Sequence, residues 1–82
     1  MRVKDLQLTK MFSSEVKKLR ASKGLTQQDV ADTSRVSRAT IANMEREEPA
    51  FVPSFANVVR VAASLGISVD SIIEKFKWER SK

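Results

Sequence analysis

The stretch Thr26 to Arg46, T-Q-Q-D-V-A-D-T-S-R-V-S-R-A-T-I-A-N-M-E-R, decides how this chain folds. It reads as two short helices joined by a tight turn. Thr26 caps the first, with Asp29 three residues on in a capping-box arrangement, so that each side chain accepts the other's backbone N–H. Val30 is the apolar anchor of this helix, and Ala31 beside it is small enough to let another helix approach. Ser34-Arg35 ends it. Ser37 caps the second helix. Val36, just before that cap, and Ile41 stand at the two positions of a hydrophobic staple. Ile41 and Met44, three apart, point inward, and Arg38, Ala39, Thr40 and Asn43 are left facing out.

The same punctuation extends in both directions. Upstream, a helix is expected from a cap near Ser13, with Glu15 in its first turn where the helix dipole favours an anion. Phe12, Val16 and Leu19 form its buried stripe, and Lys17, Lys18, Arg20 and Lys23 lie outside it. Gly24 closes it. In residues 1–11, Val3, Leu6 and Leu8 fit neither the helical nor the strand period. That segment reads equally as a basic arm, a short strand or an extra turn of helix. Downstream, Glu47 to Val52 is a loop marked by Pro49 and bounded by Pro53. Ser54 caps a fourth helix whose apolar face is expected at Phe55, Val58, Val59, Ala62 and Leu65, and Gly66 ends it. Ser68 caps a fifth, with Asp70 in its first turn and Val69, Ile72, Ile73 and Phe76 apolar. Residues 77–82 form a tail that carries the only tryptophan, Trp78. Alternating β-branched runs are missing. The fold class expected is therefore all-α: a compact five-helix domain over residues 12–76, rich in local contacts and fast to fold.

Composition narrows what such a domain does. A chain of 82 residues forms one domain at most and buries a small core, so it must pack efficiently or gain stability by pairing with a second copy. It contains no cysteine and no histidine. Disulfides, thiolate or imidazole metal sites and a Ser/His/Asp triad are excluded. No grouping of carboxylates or lysines suggests another catalytic centre, so neither an enzyme nor a cofactor is expected. No apolar run is long enough for a signal peptide or a membrane span, which makes a cytoplasmic location the expectation. The net charge is +5, and all of it sits in the first 25 residues. Arg2, Lys4, Lys10, Lys17, Lys18, Arg20 and Lys23 face only Asp5 and Glu15 there. That asymmetry suits a polyanionic partner, most simply nucleic acid.

A major groove about 12 Å wide admits one α-helix, provided a rigid neighbour presents it. Val30, Ala31, Val36, Ile41 and Met44 have the spacing that welds such a pair. Residues Gln27–Arg46 resemble the helix-turn-helix of the lambda-repressor/Cro-like family, also called the XRE family. Ala31 stands at the small fifth position, and Val30, Val36, Ile41 and Met44 at the apolar ones. The flanks V-K-K-L-R-A-S-K-G-L-T-Q and P-S-F-A-N-V-V-R-V-A-A-S-L-G-I-S-V-D match as well, so the resemblance covers about residues 12–76. Three departures stand out. Ser34 replaces a usual buried leucine, Arg35 replaces the turn glycine, and the loop after the second motif helix is long and opens on Glu47-Glu48, where family members often meet phosphate.

The resemblance implies a sequence-specific regulator of transcription, a repressor in the leading reading, bound to double-stranded DNA as a homodimer on a palindromic operator. It implies base reading by Arg38, Ala39, Thr40 and Asn43: Arg38 bidentate to guanine, Ala39 against a thymine methyl, Asn43 on adenine. It implies phosphate contacts at Thr26, Gln27, Arg35, Ser37 and Arg46. The dimer interface is expected at Ile72, Ile73, Phe76 and Trp78. The alternatives are an antitoxin that binds a toxin and represses its own operon, and a controller protein of a restriction-modification system.

Overall fold

The computed structural model describes residues 3–68, 70, 71, 73, 74 and 77, with side chains from Thr9 onward. Among these residues the chain is all-helical, with four helices and no strand: α1 (Val3–Ser22), α2 (Gln27–Ser34), α3 (Arg38–Glu45) and α4 (Phe55–Leu65). The five-helix count is not supported. Asp70, Ser71, Ile73, Glu74 and Lys77 have helical backbone, but no fifth element is defined. Val69, Ile72, Phe76 and Trp78 lie outside the described residues.

The termini of α2, α3 and α4 follow directly from their sequence. Thr26 Oγ1 accepts the Asp29 N–H at 3.0 Å while the Thr26 N–H donates to Asp29 Oδ2 at 2.8 Å, the reciprocal box. Those two bonds, backbone first, hold the Asp29 carboxyl below the usual carboxylate range. Ser37 Oγ caps α3 through the Thr40 N–H, and Ser54 Oγ caps α4 through the Asn57 N–H, each at 3.1 Å. Gly66 closes α4 at φ +71°, a conformation that costs glycine nothing.

The start of α1 differs from expectation. The helix begins at Val3, ten residues before Ser13, and residues 3–11 form its first turns. Ser13 therefore lies inside the helix and is buried, its Oγ without a hydrogen-bond partner among the described residues. A serine that can cap can also sit on the inner face of a continuing helix. Here Phe12 and Val16 carry it inward with them.

The core gathers one stripe from each helix. Phe12 and Val16 come from α1, Val30 and Ala31 from α2, Ile41 and Met44 from α3, and Val61, Ala62 and Leu65 from α4. Val36 and Ile67 close it from the connections, and Leu19, Leu25 and Val58 pack on its edge. Val36 and Ile41 are both buried, as a staple requires. Burying side chains of this size stabilises by about 1.5–3 kcal/mol each, which is how a small domain offsets its chain entropy. The face of α4 corrects the sequence reading. Val61 is fully buried, whereas Phe55 is 79% exposed and Val59 40%. Phe55 sits in the first turn, beyond the edge of the core, and Val59 lies on its flank.

The α2–α3 turn carries its strain at Arg35, which takes φ +60°, ψ 33° as the only non-glycine residue at positive φ among those described. Glycine is the residue that occupies this region without a Cβ clash. Arg35→Gly is expected to stabilise the fold by about 0.5–1 kcal/mol. Thermal unfolding should register a rise of roughly 3–6 °C in Tm.

Candidate nucleic-acid interface

Helix α3 is held at its C-terminal end and along its inner face. At its C-terminal end, Arg20 of α1 grips Glu45: Nε to Oε2 at 2.6 Å and the second terminal nitrogen, Nη2, to Oε1 at 2.9 Å. The remaining terminal nitrogen, Nη1, donates to the Leu25 carbonyl at 2.7 Å, which fixes the α1–α2 turn. The Glu45 side chain is 4% exposed and that of Arg20 18%. A bidentate, charge-assisted pair so removed from water has defined geometry. The hydrogen bonds to Glu45 raise the Arg20 pKa further, against the opposing effect of burial. Gln27 joins the network, its Nε2 donating to Glu45 Oε1 at 3.4 Å.

Sequence reading placed Arg20 outside the buried stripe of its helix and gave Glu45 no role. A signal existed. Arg20 follows Val16 by one turn and Glu45 follows Ile41 by one turn, so each charge stands directly after a fully buried residue on the inner side of its helix.

The expected base-reading residues divide. Arg38 and Ala39 are exposed at the start of α3. Thr40 is half-buried and its hydroxyl shares a 2.8 Å hydrogen bond with Ser37 Oγ. Asn43 departs from the expected arrangement. It is 4% exposed, its Nδ2 donates to the Phe51 carbonyl at 2.9 Å, and its Oδ1 accepts the Ala50 N–H at 2.7 Å. Both ends of the amide are engaged in pinning the loop after α3, so Asn43 is not available to an adenine edge. Its physical task is to tie the backbone of Ala50 and Phe51 to the end of α3, which satisfies its own buried amide as well as the loop.

The expected phosphate contacts lie around this face. Thr26, Arg35, Ser37 and Arg46 are exposed, and Gln27 is half-buried. Gln27 spends one amide hydrogen on Glu45 and keeps a second donor. Gln28, which sequence reading did not single out, is exposed beside Gln27 and donates to Asp32 Oδ1 at 2.8 Å. Of the expected dimer residues, Ile73 is described and 44% exposed. Ile72, Phe76 and Trp78 fall outside the described residues.

Two short helices welded at the core, the second offering a cationic N-terminal face, define a helix-turn-helix DNA-binding domain. A helix-turn-helix family model matches residues 16–72, and the chain belongs to the XRE-type helix-turn-helix family of sequence-specific DNA-binding transcriptional regulators. Its fold is similar to that of the wild-type restriction-modification controller protein C.Esp1396I, with a TM-score of 0.71 and 28% identity over 92% of this chain and 96% of that one. The tetramer of that controller in complex with its natural 35 base-pair operator gives a TM-score of 0.70, at the same identity and coverage. None of the curated proteins matches the chain. No helix among the described residues is long and apolar enough to cross a membrane.

Removing one partner of the Arg20–Glu45 pair strands the other charge in the interior. Arg20→Met is expected to destabilise by about 3 kcal/mol. Arg20→Met combined with Glu45→Leu should recover most of that loss, because no lone charge remains. Urea unfolding of the two variants separates these outcomes, and equal losses would contradict the stranded-charge account.

Proposed function

We propose that this protein is a restriction-modification controller-type regulator that binds a palindromic operator as a homodimer and represses transcription. The observation that carries the reading is the exposed start of α3: Arg38 and Ala39 stand clear of the fold on a helix whose other end is clamped to α1. Arg38 forms a bidentate contact to the N7 and O6 of a guanine, the commonest specific contact in the major groove. Ala39 lies against a thymine methyl, and Thr40, tethered to Ser37, reaches a neighbouring base edge. Thr26 and Gln27 at the start of α2, with Ser37, Arg35 and Arg46, bind backbone phosphates and so fix the register. The solved controller structures favour the controller alternative over an antitoxin, because their fold matches this one over nearly their whole length.

One domain of this size spans too few base pairs to select a site in a genome, and a two-fold dimer doubles the readout. Support for pairing comes from apolar surface. Phe55 and Val59 stand one turn apart on the outside of α4, and Phe51 and Val52 are exposed at 49% and 57% just before it. Large hydrophobics left in water at this density mark an interface. They join Ile73, itself 44% exposed, as candidates for the dimer surface, and the expected interface residues Ile72, Phe76 and Trp78 lie outside the described residues. Two copies paired there set half-sites about one helical turn, ~34 Å, apart.

Arg38→Ala removes one bidentate pair from each half-site, so it should lower operator affinity by about 100- to 10,000-fold and leave the fold intact. Fluorescence anisotropy on operator and on scrambled duplex checks this, and unchanged discrimination would remove Arg38 from the reading face. Phe55→Glu should convert the wild-type dimer into a folded monomer in sedimentation equilibrium. A variant that remains dimeric would place the interface elsewhere.

A further inference from the structure

Between α1 and the end of α3 lies a cleft of about 360 Å³, lined by Lys10, Ser13, Ser14, Lys17, Glu45, Arg46 and Glu47. Its charges do not cancel. Glu45 is already neutralised by Arg20, which leaves Lys10, Lys17 and Arg46 against Glu47 alone. All four of these side chains are exposed, and none forms an ion pair among the described residues. Below them, Ser13 is 5% exposed and its Oγ has no hydrogen-bond partner among the described residues. A buried hydroxyl donor without an acceptor costs free energy that an incoming anion would return. Three cations around such a donor have the chemistry of a phosphate site.

The cleft's position says which phosphate. Helix α3 has eight residues, so it is about 12 Å long. A major groove is about 12 Å wide and walled by phosphates. With Arg38 at the base edges, the groups at the far end of α3 stand at the groove wall. Arg46 is the first residue beyond α3, and Lys10 and Lys17 are presented beside it by α1, two turns apart on one face.

We propose that this cleft binds one backbone phosphate of the duplex flanking the bases that α3 reads, with Lys10, Lys17 and Arg46 supplying charge and Ser13 Oγ a hydrogen bond. This rests on the DNA-binding reading above and adds α1 to the contact surface. It also gives the N-terminal extension of α1 a task, since Lys10 lies in the turns that precede the expected helix start. Glu47 works against the site and limits its strength.

The test compares two double substitutions of equal charge. Lys10→Gln with Lys17→Gln empties the cleft of its α1 cations, whereas Lys18→Gln with Lys23→Gln removes two exposed cations of the same segment that do not line it. Affinities for operator and for unrelated duplex are measured by anisotropy across a salt series. The cleft pair is expected to weaken both duplexes alike, by about 25- to 100-fold for a dimer, and to reduce the log–log salt slope by about 2, one phosphate per protomer. The control pair should leave the slope near wild type, and Glu47→Gln should tighten binding. Equal effects from the two pairs, or none from the cleft pair, would overturn the proposal. Wild type without salt-dependent duplex binding would instead overturn the DNA-binding reading. Inorganic phosphate distinguishes the remaining source. If it shifts the Ser13 and Ser14 amide resonances saturably while bound duplex does not, the cleft serves a free phosphate and the duplex assignment fails.

Discussion

The pairing of Arg20 with Glu45 is the constraint on which the geometry of this domain depends. Hydrophobic burial brings α1, α2 and α3 together, but it is non-directional and tolerates small sliding of one helix on another. The guanidinium fork does not. It holds the last turn of α3 by two bonds and the α1–α2 turn by a third, and Gln27 ties in the start of α2. Net stability is a poor measure of such a pair, because desolvation consumes most of the attraction. Its contribution is orientation. A helix that reads bases must enter the groove at one angle, and a buried bidentate pair at the end of α3 fixes the angle of that helix relative to the start of α2.

The front end of α3 is organised by opposite means. Among the described residues the side chains of Arg38 and Ala39 have no polar partner, and the hydroxyls of Ser37 and Thr40 bond each other, with Ser37 Oγ also capping the Thr40 N–H. Between the two ends, Ile41 and Met44 are fully buried and Asn43 is turned into the loop. Each inward residue therefore removes a degree of freedom from the helix, and the residues that remain outside are few. The turn at Arg35 fits the same pattern. A left-handed arginine costs stability at a position where glycine would cost none, yet it leaves an exposed cation in the turn that leads into α3. Stability given up beside a binding surface is a common arrangement.

Much of this was legible in the residues. Thr26, Asp29, Ser37 and Ser54 act as caps because capping is a local matter of one side chain and the next few N–H groups. Gly66 closes its helix for an equally local reason. What the sequence hid was the choice between equivalent faces. Helix α4 has apolar residues at 55, 56, 58, 59, 61, 62, 63 and 65, more than one stripe can hold, and only the packed neighbours select Val61 over Phe55 and Val59. Asn43 is spaced as an outward residue, and its burial follows from a loop whose unpaired backbone atoms needed a partner. Ser13 resembled a start signal, but the residues before it continue the helix. In each case a tertiary contact overrode a local preference that was itself sound.

The central claim is that a rigidly held α3, repeated about a two-fold axis, reads DNA. Selection of bound sequences from a randomised duplex pool by the wild-type protein tests it most directly. A two-fold pair of α3 helices should enrich an inverted repeat containing guanine in each half, with half-site centres about one helical turn apart. A selected pool without inverted symmetry, or no enrichment over the starting sequences, would contradict it.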